Sequence, residues 1–397
     1  MNHTPISERL HIGIFGKRNA GKSSIINAIT GQDLAIVSDV KGTTTDPVMK
    51  AMELLPLGPV VFIDTPGLDD VGELGKLRVK KAYHMLNKTD VALVVIDGKD
   101  GMTAEDESIL AKIQEKGIPC IVVYNKKDLI TDDAVKSNSE SLTDCIWVST
   151  TTYENIEELK RMIVNVVPKA DVYKPIVADL IQPLDFVVLV VPIDGSAPKG
   201  RLILPQQQTI RDILETGAVP IVVRDIELSE MLDKLQVKPS LIITDSQVFG
   251  KVAQLVPEDI PLTSFSILMA RYKGDLKTVV RGACALDELQ DGDTVLISEG
   301  CTHHRQCEDI GTVKLPKWIT EYSGKDIHFA FTSGTEFPDD LSKYKMVIHC
   351  GGCMLNGREM KYRLNCSEDA KVPMTNYGTA IAHMRGILKR SIGIFHK

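Results

Sequence analysis

The chain has 397 residues, 46 basic against 53 acidic, for a net charge of −7, and 43% of its residues are hydrophobic. That is more than one domain's length with enough apolar mass for several cores, and the acidic balance without a basic run argues against a nucleic-acid partner. No apolar stretch approaches the roughly 20 residues of a membrane span, and Met1-Asn2-His3-Thr4-Pro5 has no apolar signal core, so a cytoplasmic protein without a membrane partner is expected.

The 8 cysteines are then thiols or metal ligands rather than disulfides. There is no short internal repeat and no low-complexity segment.

The first strand reads over His11-Ile12-Gly13-Ile14-Phe15 and runs into Gly16-Lys17-Arg18-Asn19-Ala20-Gly21-Lys22-Ser23, with a helix over Ser24–Thr30. Strand, glycine-rich loop and helix are the setting a G-x-x-x-x-G-K-S phosphate loop requires. Backbone N–H groups and the helix N-terminus cradle phosphates there. The candidate nucleotide contacts are Gly16, Asn19, Ala20, Gly21, Lys22, Ser23 and Ser24. Lys22 is expected to reach the β- and γ-phosphates and Ser23 to ligate magnesium.

A strand over Val60–Ile63 ends in Asp64-Thr65-Pro66-Gly67, a D-x-x-G element. Asp64 is expected to hold the magnesium shell, and the Gly67 N–H to sense the γ-phosphate. Val91–Ile96 is the next buried strand. Ile121–Tyr124 follows and ends in Asn125-Lys126-Lys127-Asp128, an N-K-x-D element. A carboxylate at Asp128 accepts from guanine N1–H and N2–H, which adenine does not offer, so GTP is selected. Ile146-Trp147-Val148 leads to Ser149 and Thr150, where the loop behind the base belongs.

These four elements, in this order, resemble the Ras-like P-loop GTPases, and their TrmE–Era branch in particular. The resemblance makes Lys41-Gly42-Thr43-Thr44-Thr45-Asp46 switch I, with Thr44 closing on magnesium and Thr43 and Thr45 as alternatives. Lys22, Ser23, Thr44, Asp64 and Gly67 are then the catalytic set. Position 68 is leucine where Ras has a water-orienting glutamine, so intrinsic hydrolysis is expected to be slow. Asn19 matches the asparagine that holds potassium in potassium-activated members of the branch.

A linker reads from Val167-Pro168-Lys169 to Tyr173-Lys174-Pro175. Beyond it strands over Asp185–Pro192, Ala218–Val223, Leu241–Thr244 and Ile260–Phe265 alternate with helices over Pro205–Thr216, Leu228–Leu235 and Ser246–Leu255, the pattern of a parallel sheet. No phosphate loop or titratable cluster stands out, and nothing selects Asp194-Gly195-Ser196 or Arg201. Residues 173–265 read as a scaffold or self-association domain after a GTPase domain at 1–172. The fold class is therefore α/β, an N-terminal Ras-like P-loop GTPase domain followed by two smaller parallel-sheet α/β domains.

In 266–397 a helix reads over Asp275–Leu289, with Cys284 on its core face, and strands over Asp293–Ile297, Ile327–Phe331 and Tyr344–Ile348. Cys301-Thr302-His303-His304 follows the first strand, and His349-Cys350-Gly351-Gly352-Cys353 the last. If the strands are parallel, both segments emerge at carboxyl ends of neighbours, where open α/β sheets place ligands. The 48 intervening residues are then crossover units rather than a metal loop. Cys301, Cys350 and Cys353 suit a four-iron cluster, or zinc with a nitrogen ligand from His303 or His349. A redox dithiol is the third possibility. Cys307 is an alternative thiol, and His304 reads as solvent-facing or supporting.

The Cys301-x-His303 and His349-Cys350-x-x-Cys353 pair behind this GTPase, with Asp309-Ile310-Gly311 and Thr375-Asn376-Tyr377-Gly378, resembles the HydF family, maturation GTPases of the iron-only hydrogenases, over essentially the whole chain. The resemblance implies a GTPase, a dimerisation and an iron–sulfur domain, the last over 266–397. It implies that Cys301, Cys350 and Cys353 bind a 4Fe-4S cluster with an exchangeable fourth position. It further implies a homodimeric scaffold using GTP, magnesium and potassium. Such a scaffold receives a di-iron precursor from the radical-SAM maturases and delivers it to apo FeFe-hydrogenase. The rival readings are an RNA-associated GTPase with a zinc module and a redox-sensing GTPase.

Overall fold

The computed structural model describes residues 4–31, 47–69, 72–130, 144–167, 174–193, 202–301, 309–334 and 336–396. Thr44 with the rest of switch I, linker residues 168–173, Asp194-Gly195-Ser196, Arg201, His303, His304 and Cys307 lie outside the described residues. The chain divides into two compact units, Met1–Val172 and Tyr173–Lys397. Among the described residues no helix is long and apolar enough to cross a membrane.

The first unit is a six-stranded sheet of β1 (Leu10–Phe15), β2 (Val48–Leu54), β3 (Gly58–Asp64), β4 (Val91–Asp97), β5 (Cys120–Asn125) and β6 (Cys145–Trp147), in the order β2-β3-β1-β4-β5-β6. β2, an edge strand not anticipated from sequence, pairs antiparallel with β3, and the other pairs are parallel. Helices α1 (Lys22–Thr30), α2 (Gly72–Met85), α3 (Ala104–Glu115) and α4 (Ile156–Val166) cover both faces. Ile25 and Ile29 of α1 and Leu159 and Ile163 of α4 pack with Ile12 and Ile14 on one side. Ala82 of α2 and Ile109 and Ile113 of α3 pack with Val61 and Ile63 on the other. Burial on both faces explains why β3 and β4 read as unbroken apolar runs.

The second unit holds two four-stranded sheets. The first contains β7 (Phe186–Val190), β8 (Val219–Val223), β9 (Leu241–Thr244) and β10 (Leu262–Ser264), ordered β10-β9-β7-β8 and parallel throughout. Its helices are α5 (Leu204–Glu215), α6 (Leu228–Lys234), α7 (Phe249–Leu255) and α8 (Phe265–Lys273). The entry to this unit is pinned by the buried Asp212 carboxylate, which accepts from the backbone N–H groups of Ile176, Val177 and Ala178 at 3.1, 2.7 and 2.8 Å.

After α9 (Leu276–Ala283), the second sheet contains β11 (Thr294–Ser298), β12 (His328–Thr332), β13 (Met346–His349) and β14 (Met374–Asn376), ordered β12-β11-β13-β14 and again parallel. Its helices are α10 (Leu315–Ser323), α11 (Gly357–Asp369) and α12 (Tyr377–Met384), with α13 (Leu388–Ile392) closing the chain. Val188 and Ile242 of one sheet share a core with Ile297 and Ile348 of the other.

The two sheets follow one plan. Val190 pairs with Thr244 and Val223, and Thr244 with Ser264. In the second sheet Ser298 pairs with His349 and Thr332, and His349 with Asn376. Ser264 and Asn376 then cap α8 and α12 in the same way, each side chain accepting from an N–H three residues on. This correspondence spans more than a hundred residues, beyond any short repeat.

Cys284 departs from its expected place. α9 ends at Ala283, and the following 3-10 turn, Cys284–Glu288, buries Ala285 and Leu286 instead. Three residues per turn shift the inward face, and Cys284 is exposed.

Candidate functional site

Each nucleotide element occupies the carboxyl end of a strand. β1 delivers the phosphate loop, β3 the D-x-x-G, β5 the N-K-x-D and β6 the base-backing loop. Gly16 has φ +142°, and a Cβ there would lie 2.1 Å from the Val95 carbonyl oxygen. Gly21 has φ +95°, and its Cβ would lie 2.1 Å from Asn125 Nδ2. Only glycine fits either position. Asn19 also has a positive φ, 60°, and Ala20 is buried. α1 then begins at Lys22, with Ser23 and Ser24 in its first turn.

The Lys22 ammonium is buried and donates to the carbonyls of Gly16 and Lys17 at 2.9 and 2.7 Å. Ser23 Oγ donates to Asp64 Oδ2 at 2.7 Å, bringing the two expected magnesium groups together. The Arg18 N–H donates to Asp69 Oδ1 at 2.7 Å, next to Gly67. Leu68 is buried against the sheet.

At the base end, Asn125 Nδ2 donates to the Ala20 carbonyl at 3.1 Å, tying the two motifs together, while its buried Oδ1 has no hydrogen-bond partner. Lys126 has φ 65° and pairs with Asp97. Ser149 Oγ donates to Asp128 Oδ1 at 2.6 Å and accepts from the N–H groups of Thr151 and Thr152, just beyond Thr150.

In the second unit the chain leaves β11 for β12 on one side and returns as β13 on the other. The β11–β13 boundary is thus the topological switch point, where open α/β sheets leave a crevice at their carboxyl ends. Cys301 follows β11, and Cys350 directly follows β13. The Cys350 N–H donates to the Ser298 carbonyl at 2.9 Å, and Cys350 Sγ accepts from the N–H of Gly300 at 3.0 Å and of Gly352 at 3.4 Å. The Gly334 N–H donates to the Cys301 carbonyl at 3.3 Å. Gly352 has φ 65°, the curl that turns the C-x-x-C back on itself. A Cβ on Gly300 would strike Leu355 at 2.8 Å, so the Gly300 backbone, one residue before Cys301, approaches the turn closely.

Cys350 is partly buried, and the desolvation of its sulfur pushes the thiol up to about 11. Cys301 and Cys353 are half-buried. Among the described residues no three His, Cys, Asp or Glu side chains converge to hold one metal ion. A four-iron cube takes one thiolate per iron, so its sulfurs need not share an ion, and this donor set fits it.

His349 proves to be committed elsewhere. Arg363 Nη1 donates to its Nε2 at 3.0 Å, and since a guanidinium cannot accept, that nitrogen is the acceptor. Nδ1 then carries the proton and donates to the Cys350 carbonyl at 2.7 Å. Burial, with the Arg363 guanidinium alongside, lowers this imidazole to about 3. Both ring nitrogens of His349 are thus engaged by protein groups, which makes it a strut between β13 and α11.

At this site Arg363 and Lys273 carry no sequence signal, and Tyr377 carries one only as part of Thr375-Asn376-Tyr377-Gly378. Arg363, fully buried on α11, also donates to Glu359 Oε1, Ser298 Oγ and the Gly334 carbonyl. Its one guanidinium braces both cysteine segments. Tyr377 OH donates to the buried Glu299 at 3.1 Å, and burial raises that phenol well above its ordinary value. Lys273 Nζ donates to the carbonyls of Cys353 and Leu355 at 3.0 and 2.8 Å. Each depends on a partner far along the chain.

Three family models match the chain. Residues 176–274 match the hydrogen maturase F dimerization domain, and 277–394 the hydrogen maturase F tetramerization domain. The chain belongs to the hydrogen maturase F family. Its residues 11–126 match a 50S ribosome-binding GTPase model. Relatives are similar to that GTPase part. A tRNA modification GTPase MnmE of Laribacter hongkongensis is 36% identical over 136 residues, 34% of this chain and 30% of its own length. A GTPase Der of Kosmotoga olearia is 31% identical over 182 residues, 42% of this chain and 41% of its own. The chain thus spans well under half of these curated relatives. Aquifex aeolicus Era, solved with GDP.AlF4-, aligns at 22% identity and TM-score 0.37, covering 54% of this chain and 92% of Era.

Proposed function

We propose that this hydrogen maturase F family chain is a GTP-hydrolysing scaffold and carrier in FeFe-hydrogenase maturation. In this reading 1–172 is the GTPase, 173–265 the dimerisation part and 266–397 the cluster part. The observation that carries it is the switch-point placement of Cys301 and Cys350-x-x-Cys353 behind a P-loop GTPase. With both His349 nitrogens engaged, sulfur dominates the described donors, which favours an iron–sulfur cluster over zinc. Cys301, Cys350 and Cys353 would hold a 4Fe-4S cluster, with His303 a candidate further ligand.

Three protein thiolates leave one iron open to a labile ligand from a di-iron cargo. The chain's own part is positional. Gly300 and Gly352 aim N–H groups at the Cys350 sulfur, and Arg363 and His349 fix the strand ends. Such a crevice is open to the apo-hydrogenase that accepts the cargo and to the radical-SAM maturases that supply it.

In the GTPase part, Lys22 reaches the phosphates, and Ser23, Asp64 and Thr44 hold magnesium. Gly67 senses the γ-phosphate, Asn19 binds potassium, and Asp128 reads guanine. Leu68 offers no polar group of its own to orient water, so turnover is slow. Hydrolysis biases partner docking only where GTP and GDP states differ in partner affinity.

The test is iron, sulfide and zinc content with an EPR spectrum of the dithionite-reduced protein, purified without oxygen. The comparison is a Cys301→Ser, Cys350→Ser, Cys353→Ser triple variant. About four irons per chain, lost in the variant, support the reading. One zinc and no iron would defeat it and make RNA filter binding the next assay.

A further inference from the structure

We propose that Lys273 is a positioning residue for the cysteine turn and places a fixed positive charge behind its sulfurs. The inference rests on reading Cys301, Cys350 and Cys353 as cluster ligands. Lys273 is the last residue of α8, only 7% exposed. A buried ammonium is costly unless well partnered. This one is held by carbonyls of the turn, those of Cys353 and Leu355. The turn has no regular structure between β13 and α11, so its inward carbonyls need such a donor.

The contact continues along α8. A Cβ on Gly351 would lie 3.8 Å from Ser266 Oγ and 3.9 Å from Met269 Cβ. The thiol turn therefore rests on a helix of the first sheet, within the segment matching the dimerization domain. The shared plan supplies a comparison. Counting from the Ser264 and Asn376 caps, the counterpart of Lys273 is Arg385. Arg385 reaches the first turn of α7, just past the corresponding turn of the first sheet, where a Cβ on Gly250 would meet it at 3.5 Å. Its guanidinium lies 5.8 Å from the Trp318 ring centre. Each copy sets a basic residue against the other, Arg385 on a helix start and Lys273 on carbonyls beside thiols.

Two effects follow. Hydrogen bonding orders the Cys353 limb whether or not metal is bound. The ammonium also favours the more negative, reduced form of a thiolate-ligated cluster, since net charge and local hydrogen bonds set such potentials.

The experiment uses full-length chain carrying Lys273→Met, Lys273→Gln or Lys273→Arg. In metal-free protein, deuterium labelling of backbone amides is followed by peptide mass spectrometry, with the peptide carrying the exposed Cys284 as internal reference. The peptide carrying Cys353 should label about fivefold faster in the Met variant, the order expected for one lost hydrogen bond, with the Cys284 peptide unchanged. Gln, which keeps a donor, should stay near the parent. After reconstitution with iron and sulfide, EPR-monitored titration should give more negative midpoints for Met and Gln and a parent-like one for Arg.

Unchanged labelling of the Cys353 peptide or an unchanged midpoint in the Met variant overturns the proposal. If the Cys284 and Cys353 peptides both accelerate in that variant, it has lost its fold. The Gln midpoint then decides, and a parent-like value overturns the proposal. If the parent itself takes up no iron, the cluster reading has failed, and the labelling alone judges the positioning role.

Discussion

Nε2 of His349 accepts a hydrogen bond from Nη1 of Arg363 at 3.0 Å, inside a pocket that also closes over Glu359. Arg363 is 0% exposed and Glu359 3%. Deleting one partner of such a buried pair strands the other charge, at a cost of about 3–5 kcal/mol. Arg363→Met should lower unfolding stability of the metal-free chain by that order. An Arg363→Met, Glu359→Met double variant should recover much of the loss. A double variant no more stable than the single would show that the pair is not coupled.

Removing His349 should separate bracing from ligation. His349→Gln is expected to keep iron content near the parent's while lowering thermal stability. Each of Cys301→Ser, Cys350→Ser and Cys353→Ser should lose iron. Iron analysis with a melting curve reads both, and loss of iron in the Gln variant at unchanged stability would restore the histidine as a ligand.

Gly300 faces Leu355 so closely that any side chain must push the turn aside. Overpacking of this kind typically costs about 1–3 kcal/mol. Gly300→Ala should speed iron loss to a chelator, followed by absorbance at the cluster band. A parent-like rate would mean that the turn yields without harm to the sulfurs.

Asp128→Asn exchanges an acceptor for a donor at the base end. GTP affinity should fall by about 10- to 100-fold, the weight of one or two mispaired polar groups. Xanthosine triphosphate should bind the variant better than GTP. Calorimetry with both nucleotides checks this.

Asn19→Ala should abolish any difference in hydrolysis between potassium and sodium while leaving the sodium rate intact. Equal rates in both salts for the parent would remove potassium from the mechanism.

The parallel strands could be read because burial on both faces demands continuous apolar runs, as at Val91–Ile96. The nucleotide loops could be read because phosphate and guanine demand fixed residue types at short spacings. β14 escaped notice because it has three residues, Met374–Asn376, two of them polar. The edge strand β2 is mostly solvent-facing, and its apolar residues Val48, Met49, Ala51, Met52 and Leu54 follow no strict alternation. Cys301, Cys350 and Cys353 were visible as thiols. The group that braces them was not, because Arg363 looks like any charged residue of a helix until its partners at Ser298, Gly334 and His349 converge on it.

The matched registers of the two small sheets place different residue types at equivalent positions. Where one mouth has Cys350 after His349, the other has Asp245 after Thr244 in the same register. Pro261-Leu262-Thr263-Ser264-Phe265-Ser266 likewise answers to Pro373-Met374-Thr375-Asn376-Tyr377-Gly378. A scaffold present twice can lend one version to metal and keep the other as plain protein. One backbone plan thus carries thiols at one mouth and an aspartate at the other, so the loop geometry alone does not dictate which chemistry it holds.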